Sequence, residues 1–306
     1  MHPERGFSIV EILVALCLTT VLLTGTFTVL EKTRASYDAT MSAAAWLETA
    51  QRALDRMSSD IRSVGFNGCF RVGADPPGFD VAPIRTFSSS SLTLASAEHA
   101  VSRHVVADSD VLVLHVPRRN SAPIAITSTV LDTSGLVEID TARSRTISVG
   151  DTVMLYNCKH RAFAHVRGVH EGRIHYDRLV LNPGLPSTNP AEAWFEPGDE
   201  LVVLDEVVYF VAKLEDTHTS TLWRWDGKQE QALLKDVERL VVSPDGKRLD
   251  RSQTEYVPEE AAWGEAREAQ VAVVLTQRQA PNAIRTTIGN RMLKTTVCIR
   301  NHCLPG

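Results

Sequence analysis

Three kinds of side chain in this sequence could do chemistry: one acid in an apolar segment, five cysteines and a series of histidines. The acid is Glu11, which lies within the stretch RGFSIVEILVALCLTT. A carboxylate in lipid costs up to a few kcal/mol near a helix centre and less near a helix end, so Glu11 is a functional candidate that requires a partner. The partner need not belong to the same chain. The alternative is a carboxylate that merely reaches the lipid headgroups.

The cysteines divide into one within the apolar segment, Cys17, and four that follow it, Cys69, Cys158, Cys298 and Cys303. A lone thiol in an apolar helix acts as a small apolar side chain. In an oxidising compartment the even number indicates two disulfides, for which three connectivities exist. We favour Cys298 with Cys303, because the four residues between them can turn back, and this leaves Cys69 with Cys158. Reduced thiols are the alternative, and neither pair has the short spacing typical of zinc sites.

Histidines recur every five residues beside Cys158, at His160, His165, His170 and His175, which raises the hypothesis of a metal site. A step of five residues exchanges the two faces of a strand and rotates a side chain by about 140° on a helix. The four histidines therefore cannot share one simple face. We interpret them as solvated strand and loop residues.

Other catalytic or binding motifs are lacking in the sequence. It has no nucleophile elbow, P-loop, glycine-rich dinucleotide turn or HExxH, and DSD at 108–110 is too short for a calcium loop. Trp223, Trp225 and Trp263 could form a binding face, although a core or interface role is more typical of tryptophan. The sequence thus predicts no enzyme activity, no cofactor and no metal.

The element that must carry Glu11 is a long apolar helix. From Ile12 to Val29 the chain has no charged residue, and the apolar run extends over 7–30. At about 1.5 Å per residue this run exceeds a ~30 Å hydrocarbon core, so it can span a bilayer. A cleavable secretory signal fits poorly, because the apolar run is too long and no clear small-x-small site follows it.

The helix is predicted to continue beyond the membrane as an amphipathic segment. Apolar residues there are spaced alternately by three and four, at Leu47, Ala50, Leu54, Met57, Ile61 and Val64. Gly65 then favours a helix end. We expect one helix from about 7 to about 64 whose second half packs against a globular domain.

The remainder of the chain changes to short runs rich in β-branched and aromatic residues, separated by turn signals such as WDGK and PDGK. This pattern predicts an α+β fold, in which a long N-terminal membrane-spanning α-helix packs on a C-terminal antiparallel β-rich domain. A net charge of -5, with no basic run longer than two residues, disfavours nucleic-acid binding.

The junction of the leader MHPERG with FSIVEILVAL resembles the class III signal of type IV pilins and type II secretion pseudopilins. The resemblance implies that a prepilin peptidase cuts after Gly6 and methylates Phe7, so that Glu11 becomes the fifth mature residue. In that family this acid pairs with the N-terminal amine of a neighbouring subunit. An α-amino group has an ordinary pKa of about 7.7–8.0 and is largely cationic at neutral pH, so the two charges partly cancel in lipid.

The C-terminal half resembles PilW-type minor pilins, through an aromatic strand EVVYFVA, a VERL segment and the closing TTVCIRN, and more distantly the J-type minor pseudopilins. The likeness covers both ends of the chain and is loose over 70–195. It implies a leader (1–6), a transmembrane and filament-core helix (7–30), its amphipathic continuation (31–66) and a β-rich periplasmic domain (67–306) with an inserted sheet region at about 70–195.

The function implied by this resemblance is to initiate, prime and assemble type IV pili. The implied location is the bacterial inner membrane, crossed once with the C-terminal domain in the periplasm, and then the pilus. The implied partners are other minor and major pilins, the prepilin peptidase, the inner-membrane assembly platform and membrane lipid, without nucleic acid or cofactor. A J-like pseudopilin of a type II secretion system and a membrane-anchored periplasmic binding protein or enzyme stay open as alternatives.

Overall fold

The chain divides into two compact units, Met1–Arg52 and Ala53–Gly306. The computed structural model describes residues 8–64, 84–88, 105–106, 109–119, 121–131, 135–158, 161–176, 180–181, 193–213, 220–244, 268–275 and 292–298.

The first unit is helical. Helix α1 (Ile9–Val64) has 56 residues, contains no proline and begins within this unit, which confirms the predicted long helix. An 18-residue window near its N-terminus is apolar enough to cross a membrane, and none of that window is buried. Threonine hydroxyls in this part donate to carbonyls three or four residues earlier, as Thr20 does to Cys17 at 2.8 Å and Thr19 to Ala15 at 2.7 Å. Such bonds satisfy the hydroxyl within its own helix, so threonine is compatible with an apolar environment.

The last turns of α1 belong to the second unit and bury one face. The predicted stripe residues Leu54, Met57, Ile61 and Val64 are buried there, together with Ala53, which the predicted stripe does not include. Leu47, which the sequence pattern assigns to the same stripe, lies in the first unit and is 49 % exposed. The stripe is therefore a buried face only in its C-terminal part.

The rest of the second unit is built mainly from strands. In chain order these are β1 (Ile84–Ser88), β2 (Asp110–Pro117), β3 (Ile124–Ala125), β4 (Val130–Leu131), β5 (Leu136–Glu138), β6 (Thr152–Tyr156), β7 (Arg161–His170), β8 (Arg173–Tyr176), β9 (Val180–Leu181), β10 (Ala193–Phe195), β11 (Glu200–Lys213), β12 (Ser220–Trp225), β13 (Glu230–Lys235), β14 (Val237–Pro244), β15 (Glu268–Leu275) and β16 (Met292–Cys298). A short helix, α2 (Thr141–Ser144), precedes β6.

One eleven-stranded sheet dominates the second unit, with the order β1-β2-β11-β6-β7-β8-β5 and with β3, β9, β12 and β13 attached beside that path. Strands β14-β15-β16 form a second sheet, and β10 pairs with β4. Among the described strands every pairing is antiparallel, which confirms the α+β class with an antiparallel sheet. Strands on both sides of residue 195 share the large sheet, and the predicted domain boundaries stay a prediction.

Strand β11 is the centre of the large sheet, since it pairs with β2, β3, β6 and β12. Its sequence, ELVVLDEVVYFVAK, is almost continuously apolar and is buried on both faces. Val203 belongs to one apolar cluster, whereas its neighbours Val202 and Leu204 belong to another. A strand covered on both faces carries apolar residues at successive positions, so its sequence does not alternate.

The WDGK turn joins β12 to β13, as the sequence predicts. Gly227 has a φ of +85°, which is a conformation that glycine adopts readily. Asp226 fixes the turn through its Oδ1, which accepts hydrogen bonds from the backbone N–H groups of Lys228 at 3.2 Å and Gln229 at 3.0 Å. The PDGK stretch, 244–247, lies largely outside the described residues.

Candidate functional site

Glu11 lies in the first turn of α1, where its backbone N–H donates to the Ser8 carbonyl at 3.0 Å. An acid at a helix N-terminus is favoured by the helix dipole. The side chain shares the exposed helix surface with Ile12, Ala15 and Leu16. The predicted cleavage and methylation sites, Gly6 and Phe7, lie outside the described residues.

The apolar part of α1 exposes large side chains along its length. Ile9 is 78 % exposed, Val21 is 70 % exposed and Phe27 is 63 % exposed. Burial of apolar surface gains roughly 25 cal/mol per Å², so a helix of this kind is stable only where lipid or other apolar helices replace water. By length and composition, the segment fits a single-pass membrane anchor.

A second polar group, which the sequence analysis did not identify, is buried in the second unit. Asp60, on the last turns of α1, accepts two hydrogen bonds at its Oδ2: from the Tyr209 hydroxyl at 2.8 Å and from Arg224 Nε at 2.9 Å. All three side chains are buried, at 5 %, 0 % and 6 % exposure respectively. We name Asp60, Tyr209 and Arg224 the Asp60 cluster.

The Asp60 cluster is electrostatically coupled. Burial and then the Asp60 carboxylate raise the pKa of Tyr209 far above its ordinary value, so the phenol stays protonated and donates. Burial by itself lowers the pKa of Arg224, but the Asp60 carboxylate outweighs it and the net shift is upward. Arg224 therefore remains a cation, and its charge in the interior is matched by that of Asp60.

One local signal could have identified Asp60. It lies three residues after Met57 and four before Val64, at the border of the apolar stripe, so its side chain starts beside a buried face. Its partners could not have been read from the sequence, because Tyr209 and Arg224 are 149 and 164 residues away along the chain.

A third polar group joins β2, β6 and β11 near the surface. Arg118 binds Asp151 through two bonds, Nη2 to Oδ1 at 2.8 Å and Nη1 to Oδ2 at 3.0 Å, and its Nε donates to Asp205 at 2.8 Å. The hydrogen bond to Asp151 is the main cause of the raised pKa of Arg118. Because the one guanidinium bridges two carboxylates from different parts of the sheet, we interpret this group as a structural contact that stabilises the fold.

Among the cysteines, Cys158 is disulfide-bonded and Cys17 is free. The partner of Cys158 is therefore Cys69, Cys298 or Cys303. Cys69 and Cys303 lie outside the described residues, and at Cys298 only the backbone is described. The pairing of Cys69 with Cys158 and of Cys298 with Cys303 stays a prediction.

Replacing Cys158 with serine is expected to lower the free energy of unfolding by about 3–5 kcal/mol, because the disulfide closes a long loop and restricts the unfolded chain. Equilibrium denaturation of the full chain in detergent would measure the loss, and non-reducing peptide mapping would identify the partner. Cys17→Ser is the matched control and should change nothing, since Cys17 is free. A Cys158→Ser protein as stable as the parent would contradict the expectation.

Three of the four regularly spaced histidines lie in described strands, and His160 lies outside the described residues. His165 and His170 on β7 and His175 on β8 are all exposed, which confirms that they are solvated. His165 Nδ1 is hydrogen-bonded to the Thr152 hydroxyl at 3.1 Å. In the part of the chain that the structure describes, no group of three or more His, Cys, Asp or Glu side chains is placed to hold a metal ion.

The spacing argument for these histidines is wrong at β7. The pairing of β7 with β8 shifts register between Val166 and Gly168, so β7 contains one extra residue there. Val166 is buried and Val169 packs against the same core, while His165 and His170 are exposed. The bulge thus returns both histidines to the outer face although they are five residues apart.

Two of the three tryptophans lie on β12. Trp223 and Trp225 are half-buried and pack against an apolar cluster that includes Val208 and Phe210 of β11. This placement favours the core interpretation for these two residues. Trp263 lies outside the described residues.

Comparison of the chain with protein-family models, with curated proteins and with solved structures gave no match. Function is therefore inferred from the chain's own residues and their surroundings.

Proposed function

We propose that this protein is a minor pilin of the PilW type, which helps to initiate and assemble type IV pili. One observation carries the proposal: an acid, Glu11, lies in the first turn of an apolar helix whose membrane-length segment is entirely unburied. An incidental membrane anchor does not require a carboxylate at this position, and insertion into lipid selects against one.

The proposed maturation supplies the partner that Glu11 requires. Cleavage after Gly6 frees the amine of Phe7, which is largely cationic at neutral pH. The Phe7 amine of a neighbouring subunit then pairs with Glu11 within lipid, where a low dielectric strengthens the attraction. The β-rich domain lies on the periplasmic side of the inner membrane before assembly, and the filament replaces lipid around the apolar part of α1.

The mature N-terminus tests this proposal directly. We expect mass spectrometry of the protein purified from the membrane to show a chain that begins at Phe7 with an N-methylated amine. A chain that begins at Met1, or one cut downstream of residue 30, would contradict it. Because a J-like pseudopilin would be processed in the same way, the presence of the protein in sheared pili separates the two filament systems.

A further inference from the structure

The Asp60 cluster connects the helical and the β-sheet parts of the second unit. Asp60 belongs to α1, Tyr209 to β11 and Arg224 to β12. Tyr209 and Arg224 are direct partners in the register of the two strands. Because the sheet places the Tyr209 hydroxyl and the Arg224 guanidinium side by side, the two donors define one position for the Asp60 carboxylate.

Apolar packing by itself does not define that point. The buried positions Ala53, Met57 and Ile61 repeat every four residues, and the helix rises about 5.4 Å per turn. A displacement of α1 by one turn would bring Ala53 and Met57 to the places of Met57 and Ile61, or Met57 and Ile61 to the places of Ala53 and Met57. Because the hydrophobic effect is not directional, these exchanges of one apolar residue for another do not by themselves select one register.

The polar residues do distinguish these registers. A displacement by one turn would put Arg56 or Val64 in the place of Asp60. Arg56 would bring a second cation to Arg224, and Val64 has no side-chain acceptor. In both cases the buried guanidinium of Arg224 would lose the carboxylate that matches its charge, which is strongly unfavourable.

Arg224 also forms an ion pair with the β12–β13 turn, so it is anchored to the sheet and would not move with the helix. Its Nη1 lies 3.7 Å from Oδ2 of Asp226, and Asp226 is itself fixed by the turn. Arg56 approaches Asp60 from the helix side, with Nε 3.7 Å from Oδ2. Within the Asp60 cluster, Asp60 is thus the one member that lies on α1 and moves with it.

We propose that Asp60, Tyr209 and Arg224 form a register lock, which holds the C-terminal segment of α1 at one axial position on the sheet. The lock determines the axial position of the helix, whereas burial of the apolar face supplies most of the free energy that holds the helix on the sheet. This inference concerns the second unit and does not depend on the proposed function in pilus assembly.

The decisive variant replaces the cluster by apolar residues of similar size: Asp60→Leu with Tyr209→Phe and Arg224→Leu. Exchange of a buried ion pair for apolar residues is often neutral or stabilising, so we expect this protein to fold. Spin labels on unnatural amino acids at the exposed positions Arg62 of α1 and Glu230 of β13 would report the helix position by pulsed electron paramagnetic resonance of the full chain in detergent.

The parent protein and the matched control Asp55→Leu, at an exposed acid of the same helix, should give one narrow distance. The apolar variant should give a broadened distribution, or one displaced by about 5 Å, which corresponds to a helical turn. A folded apolar variant with the narrow distance of the parent would overturn the proposal, because apolar packing would then suffice to fix the register.

A second variant keeps the proposal testable if the triple variant does not fold. Asp60→Asn preserves the shape of the side chain and removes its charge. We expect the backbone amides of 57–64 to exchange with solvent at least about tenfold faster than in the parent, with those of β6 unchanged. Unchanged exchange over 57–64 would overturn the proposal.

Discussion

Replacing Glu11 with valine is expected to reduce incorporation of the protein into pili by more than about tenfold, because the variant lacks one partner of the proposed ion pair with the Phe7 amine of a neighbouring subunit. The variant should still enter the membrane, since valine inserts more easily than a carboxylate. Immunoblots of sheared pili and of the membrane fraction, from the same cells, would measure incorporation and insertion separately.

Glu31 provides the matched control, because it is an exposed acid of the same helix beyond the apolar run. Glu31→Val removes the same charge and should leave incorporation near the parent level. Equal amounts of the Glu11→Val and parent proteins in sheared pili would indicate an incidental anchor. That result would favour a membrane-anchored periplasmic binding protein or enzyme over a pilin.

Replacing Asp60 with alanine is expected to lower the free energy of unfolding by about 3–5 kcal/mol. The reason is that the buried guanidinium of Arg224 loses the carboxylate that matches its charge, and the Tyr209 hydroxyl loses its acceptor. Denaturant titration of the full chain in detergent, followed by tryptophan fluorescence, would measure the change.

Asp55→Ala is the control for this measurement, since Asp55 is an exposed acid five residues earlier on the same helix. An exposed substitution of this kind should change the free energy of unfolding by less than about 0.5 kcal/mol. If Asp60→Ala and Asp55→Ala were equally stable, Asp60 would not stabilise the docked helix.

The two faces of β11 have no signature in the sequence. Strand β11 carries apolar residues at successive positions because both of its faces are buried, so no alternation marks which side chain faces which core. Tyr209 is part of that run, and nothing in the run distinguishes it from the apolar residues beside it. Only its neighbours in space show that its hydroxyl has a buried acceptor.

The sequence by itself determined the features that depend on near neighbours. The apolar run with Glu11 near its start, the C-terminal part of the stripe predicted over 47–64 and the WDGK turn each occupy few residues, and helix and strand periods are visible at that range. Tertiary structure alone decided the partners of Asp60, the central place of β11 and the bulge that returns His170 to the outer face. The partners of Asp60 are 149 and 164 positions away along the chain. The place of β11 and the bulge depend on strand order and register, which leave no periodic pattern in the sequence.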